Sequence, residues 1–159
     1  MPDIISPRAL LSAAKGRGAT IATAESCTGG MIAAALTDVP GSSDVVDRGF
    51  VTYSNAAKEQ MLGVRAQTLT AHGDVSEEVA GEMADGALAN SDATLAVSVT
   101  GIAGPGGSDH KPEGRVCFGL AQSNQSTTTE TVEFGALGRA EVRKAATNHA
   151  LKLLANALT

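Results

Sequence analysis

The chain has 159 residues, 43% hydrophobic and 18% charged, enough apolar material for one compact core and too much for a disordered chain. Aromatic residues make up only 3% and Trp is absent, so the core must be built from Ala, Val, Leu, Ile and Met, which suits helices packed closely on a sheet better than an aromatic-rich β-barrel. The net charge is −5 and no basic run exceeds Arg143 and Lys144, which argues against a nucleic-acid surface, and no apolar stretch reaches the roughly 18 residues of a membrane span.

The first 18 residues lack the charged-then-apolar order of an export leader, so a cytoplasmic location is expected. Cys27 and Cys117 are then two reduced thiols rather than a disulfide. Ser6 and Pro7 open a first helix, Leu10, Leu11 and Ala14 give it an apolar side, and Gly16 and Gly18 end it. "ATIATA" (19–24) reads as a short strand and "TGGMIAAALT" (28–37) as a buried helix, followed by the turn "DVPGSSD". "VVDRGFVTY" (45–53) is a second strand, after which Ser54 or Asn55 caps a short helix that stops at Gly63. Ser76 caps the next helix, with Glu77 and Glu78 in its first turn and Val79, Met83, Ala87 and Leu88 on one face.

"ATLAVSVT" (93–100) is a nearly continuous apolar strand, as in a sheet covered on both faces. The Gly/Pro-rich loop "GIAGPGGSDHKPEG" (101–114) leads into a hairpin of "RVCFGLAQ" (115–122) and "TTTETVEF" (127–134). A long helix runs on from Arg139. The order is α-β-α-β-α-α-β-loop-β-β-α, without linker or repeat. It predicts a single domain over residues 1–159, with a mixed sheet between helical layers.

Ser26, in "TAESCTGG", stands at a strand-to-helix turn and has two readings. It is either a simple helix cap or a nucleophile beside free N–H groups that favour a developing oxyanion. No G-x-S-x-G elbow is present. A serine nucleophile needs a base, and His72, His110 and His149 fall in no triad pattern. Lys58 lies in the first turn of its helix, where the positive helix end and any burial both favour the neutral amine. On its own it reads rather as an ordinary solvated lysine on a polar helix. Cys27 and Cys117 read as small buried thiols. The loop "GIAGPGG" offers N–H groups to a phosphate or carboxylate, or is a plain turn; it is neither a P-loop nor a Rossmann fingerprint. Arg139 and Arg143, one turn apart, could hold a phosphate or pair with Glu141. No His, Cys, Asp or Glu group has metal-ligand spacing, so no metal is expected.

"TAESCTGG", "GFVTYSNAAK", "VSEEVA", "VSVTGIAGPGG" and "KPEGRVCFGLA", in this order, resemble the CinA C-terminal domain family, from about residue 6 to 157. Members act as nicotinamide mononucleotide deamidases. The resemblance implies a three-layer α/β/α sandwich with a mixed, mostly parallel sheet, the stand-alone form of the domain, and a Ser/Lys dyad of Ser26 as nucleophile and Lys58 as base. It implies that Glu25, Tyr53 and Thr100 support that chemistry. Substrate contacts are expected from Thr28, Gly29, Gly30, Gly101, Gly104, Gly106, Gly107 and one of Arg139 and Arg143, with the oxyanion on the 28–30 amides or Thr100. No cofactor is expected. The partner is a small nucleotide, with neither nucleic acid nor membrane, and the assembly a homo-oligomer, as a dimer. The alternative is a non-catalytic nucleotide-binding or competence-associated regulatory module. Arg115 and Arg48 depart from the family pattern and bear on the pocket rim or a subunit contact.

Overall fold

The computed structural model describes residues 4–108 and 110–159. Along the chain run α1 (Pro7–Gly16), β1 (Ile21–Glu25), α2 (Met31–Thr37), β2 (Val46–Val51), α3 (Asn55–Leu62), α4 (Ala66–His72), α5 (Glu77–Ala89), β3 (Leu95–Gly101), β4 (Arg115–Gln122), β5 (Thr128–Glu133) and α6 (Arg139–Ala157), with a single 3₁₀ turn at Ser42–Asp44. The strands form one sheet in the order β2-β1-β3-β4-β5. β1 pairs parallel with β2 and β3, whereas β4 is antiparallel to both β3 and β5. Four strands therefore share a direction and β4 alone opposes them, giving the expected mixed, mostly parallel sheet.

Side-chain size separates the two faces. Ile21, Val97, Val99, Val116 and Phe118 cover one face and pack against Leu10, Ile32, Val142 and Leu154 of α1, α2 and α6. Phe118 is fully buried, and burying such a side chain contributes about 1.5–3 kcal/mol. The other face carries Ala22, Ala24, Ala96 and Ala121 beneath Val79, Met83 and Ala87 of α5 and Leu62 of α3. Small residues let α5 approach closely: a Cβ on Gly119 would stand 2.5 Å from Ala80 O, and Ser98 Oγ donates to that same carbonyl.

Helix α4 is an element that sequence patterning does not anticipate. Its N-cap, Arg65, makes no side-chain cap bond. Glu82 of α5 does the work instead, accepting from Arg65 N at 2.8 Å and from Thr68 Oγ1 at 2.6 Å. A cap supplied from another helix leaves no local sequence signal. The second helix is shorter than expected, because residues 28–30 form a turn before Met31.

β1, β2 and β3 end side by side. Glu25 lies opposite Val51 on one side and Val99 on the other. The segments that leave these three strands, beginning at Ser26, Thr52 and Ile102, emerge together beyond the carboxyl edge of the sheet, where α/β folds place ligands.

Candidate active site

The α3 helix begins where Ser54 Oγ accepts from Ala57 N at 3.1 Å. Its two buried residues, Lys58 and Leu62, are four apart and so share one face. Leu62 fills the core under α5. Lys58 is 0% exposed, and its Nζ lies 3.0 Å from Ser26 Oγ, 2.9 Å from Thr52 O and 3.2 Å from Tyr53 O. Burial lowers the pKa of the Lys58 amine below its ordinary value; the negative field of Asp74 opposes that shift, as does Cys27 once its thiol ionises. The burial decides against the solvated-lysine reading. A neutral lysine amine has two N–H donors and one lone pair. Lys58 Nζ donates to both carbonyls and stands within donating distance of Ser26 Oγ; in the neutral form its two donors stay on the carbonyls and its lone pair faces the Ser26 hydroxyl.

The turn after β1 is held from three sides. Ser26 N donates to Val99 O, and Gly29 N donates to Ser26 O. Glu25, fully buried, accepts from Thr28 Oγ1 (2.6 Å), Gly30 N (3.2 Å), Ile32 N (3.0 Å) and Ala33 N (3.0 Å). Its carboxylate thus caps α2, where the helix dipole favours an anion. Arg143 closes the turn from α6, with Nε donating to Cys27 O at 3.0 Å and Nη2 to Thr28 O at 3.4 Å. Gly29 and Gly30 have φ of +58° and +107°, which bend the chain into α2.

These placements alter several sequence expectations. Glu25 is turned into the start of α2 and not towards Lys58. Thr28, Gly29, Gly30 and Arg143 build the turn and do not line the cavity beside it. Of the 28–30 amides, those of Gly29 and Gly30 are already bonded and that of Thr28 has no partner among the described residues; the neighbouring Cys27 amide meets only its own thiol. Thr100 Oγ1 donates to Asp74 O at 2.9 Å and is likewise outside the cavity lining.

A cavity of about 330 Å³ opens over Ser26 and Cys27. Gly101, Gly104, Gly106 and Gly107 form one wall, Tyr53 and Arg139 another, and Asp74 a third. Arg139 Nη1 donates to Gly104 O at 2.6 Å and Nη2 to Tyr53 Oη at 2.8 Å, so α6 and the loop share one clamp. Between the two arginines, Arg139 is therefore the one at the cavity. The glycines answer first to packing. A Cβ on Gly104 would sit 2.5 Å from the Glu113 carboxyl carbon, and one on Gly107 would sit 2.4 Å from Lys111 O. Glu113 itself accepts from Gly106 N (2.7 Å) and Gly138 N (2.9 Å), tying the loop to the start of α6. Asp109, within the same loop, lies outside the described residues.

Asp74 and Glu113 escape sequence reasoning. Glu113 had a faint signal, a carboxylate in "KPEG" beside a run of glycines with donors to satisfy. Asp74 had none beyond its position just before the Ser76 cap.

Other candidates lie elsewhere. Cys27 is buried in the core beneath the cavity, and burial pushes its thiol up to about 11. Cys117 packs with Val75 and Ala80, and both cysteines are free. His149 pairs with Glu130 at 2.6 Å and packs on Phe118, and His72 stands 3.7 Å from Glu78. No histidine lines the cavity. Among the described residues no group of three His, Cys, Asp or Glu side chains is placed to hold a metal, and no helix is long and apolar enough to cross a membrane. Arg115 pairs with Glu133 and Arg48 with Asp47 and Asp92, away from the cavity. Glu141 pairs with Lys144, not with either arginine.

Comparison with known proteins gives a match to the CinA C-terminal domain over residues 6–158. The chain is 54% identical over 143 residues to the nicotinamide-nucleotide amidohydrolase PncC of Escherichia coli (strain K12), covering 89% of this chain and 86% of that one. It is 60% identical over 120 residues to a CinA-like protein of Chlorobium phaeobacteroides (strain BS1); that alignment covers 74% of this chain and only 29% of the longer relative. The crystal structure of competence/damage inducible protein CihA from Agrobacterium tumefaciens superposes with a TM-score of 0.92 at 47% identity, covering 99% of each chain.

Proposed function

Because the chain belongs to the CinA C-terminal domain family, we propose that it is an amidohydrolase that converts nicotinamide mononucleotide to nicotinic acid mononucleotide and ammonia, in the recycling of pyridine nucleotides. The observation that carries this reading is the buried amine of Lys58, 3.0 Å from Ser26 Oγ beside the cavity. A buried lysine with no ion pair among the described residues is costly unless it is neutral, and a neutral amine is a base.

Ser26 Oγ attacks the carboxamide carbon as its proton passes to the Lys58 lone pair. Thr52 O and Tyr53 O hold the amine in place throughout. The amide of Cys27, next to Ser26 at the cavity, receives the oxyanion. The C–N bond breaks as Lys58 returns its proton to the leaving nitrogen, which departs as ammonia. Lys58 then takes a proton from water, the hydroxide attacks the acyl-serine ester, and the proton goes back to Ser26 as the acid leaves. Arg139, on the loop side of the cavity, carries charge complementary to the 5′-phosphate. Glu25 and Arg143 position the nucleophile turn without touching substrate.

Ammonia release from nicotinamide mononucleotide tests the reading directly. Wild type turns over, while Ser26→Ala and Lys58→Ala each fall by about a thousandfold or more with unchanged circular dichroism. Wild-type turnover that survives in Ser26→Ala overturns the dyad; binding without turnover in wild type favours a non-catalytic nucleotide module.

A further inference from the structure

Among the described residues only two charged side chains line the cavity, Arg139 and Asp74. Arg139 is held by two neutral acceptors, Gly104 O and Tyr53 Oη, which orient the guanidinium and leave its charge for an anion. The Asp74 carboxylate, half-buried, has no hydrogen bond or ion pair with any described residue, although its backbone is fixed by Thr100 Oγ1 on its carbonyl. Its field reaches Lys58, where it favours the protonated amine and so opposes the base. An anion left unpaired beside a lysine that works only when neutral has a cost. A cation delivered by the ligand offsets that cost.

A nicotinamide nucleotide brings such a cation, because its ring nitrogen is quaternary and lies two bonds from the carbon bearing the amide. We propose, resting on the deamidase reading, that Asp74 recognises the positive charge of the pyridinium ring and makes the site selective for oxidised pyridine nucleotides over neutral rings of the same shape. Arg139 at the phosphate end and Asp74 at the ring end then match the two charges of one zwitterionic ligand. Binding the pyridinium also cancels the field of Asp74 at Lys58, so the free base is favoured once substrate is in place.

The test compares two ligands: nicotinamide mononucleotide and benzamide riboside 5′-monophosphate, which keeps amide, ribose and phosphate on an uncharged ring. Dissociation constants are measured by calorimetry for Ser26→Ala and for Ser26→Ala with Asp74→Asn, so that no turnover is required. Loss of the charge weakens the pyridinium ligand by about tenfold and the neutral ligand by less than about twofold. Asp74→Glu, in place of Asn, keeps most of the preference. Equal weakening of both ligands, as from a ribose contact, or weakening of neither overturns the proposal. Ammonia release by wild type is assayed in parallel. Its absence counts against the deamidase reading alone, whereas its presence with an unchanged ligand ratio counts against Asp74 alone.

Discussion

Lys58 Nζ meets Ser26 Oγ at 3.0 Å although 32 positions separate the two residues. The contact follows from strand register. Glu25 stands opposite Val51, and Thr52 N donates to Glu25 O at 2.8 Å, so the chain leaves β1 and β2 at the same level. One turn of α3 then returns Lys58 over the end of β1.

The lowered pKa of Lys58 sets the pH dependence of the proposed reaction. The working form is the free amine, so kcat/KM for nicotinamide mononucleotide rises with pH along a limb whose midpoint lies below the ordinary lysine value of 10.5. In Asp74→Asn the limb moves further down, because the field that favours the protonated amine is gone. A pH–rate profile with its limb at or above 10.5 contradicts the assignment.

The same shift appears in stability. Between the folded pKa of Lys58 and its unfolded value of 10.5, the unfolded chain binds the extra proton, so the native state gains stability as pH rises through that window. Lys58→Met lacks the term. Its stability relative to wild type is therefore greatest below the window and declines as pH approaches 10.5. Urea unfolding at a series of pH values measures the difference, and a flat difference refutes the linkage.

Glu25→Gln keeps one oxygen for Thr28, Gly30 and Ile32 but sets an amide N–H against Ala33 N, which now donates to Glu25 Oε2. Losing a charged acceptor and meeting a second donor costs about 2 kcal/mol. Denaturant unfolding reads the loss. Wild-type stability in this variant would show that the helix cap is energetically idle.

The Cys27 thiol, raised to about 11, is almost wholly protonated at pH 8. Alkylation by iodoacetamide, followed by peptide mass mapping, is expected to label Cys27 about a hundredfold more slowly in the native protein than in urea. Equal rates would mean an exposed, reactive thiol beside Ser26.

Thr23 Oγ1 is buried without a hydrogen-bond partner among the described residues. Thr23→Val keeps the shape and removes the unsatisfied hydroxyl, so it raises unfolding free energy by about 1 kcal/mol. A lower melting temperature than wild type counts against this.

Local signals found most of the fold. Ser6, Ser54 and Ser76 cap α1, α3 and α5 as the sequence predicts, each accepting a backbone N–H of its helix. The near-continuous apolar run of β3 is central, paired on both sides. The missed helix, α4, owes its cap to Glu82 from α5, a contact across 17 positions that no local pattern encodes.

The site divides the same way. Which residues are candidates is a matter of residue type and motif: residue chemistry singles out Ser26, Lys58 and the two arginines, and the family resemblance adds Tyr53. What each can do depends on what surrounds it. Arg139 and Arg143 look equivalent on one helix face, yet one turn of α6 carries the first to Gly104 and Tyr53 and the second to Cys27 and Thr28. Asp74 acquires a role only because the segment before α5 is laid against the ends of β1 and β3. Desolvation lowers the pKa of the lysine amine, and desolvation comes from the layers packed around it. Sequence therefore determined the elements and the chemical groups, while tertiary structure decided burial, pairing and charge state, because those are properties of neighbours that meet only when the chain is folded.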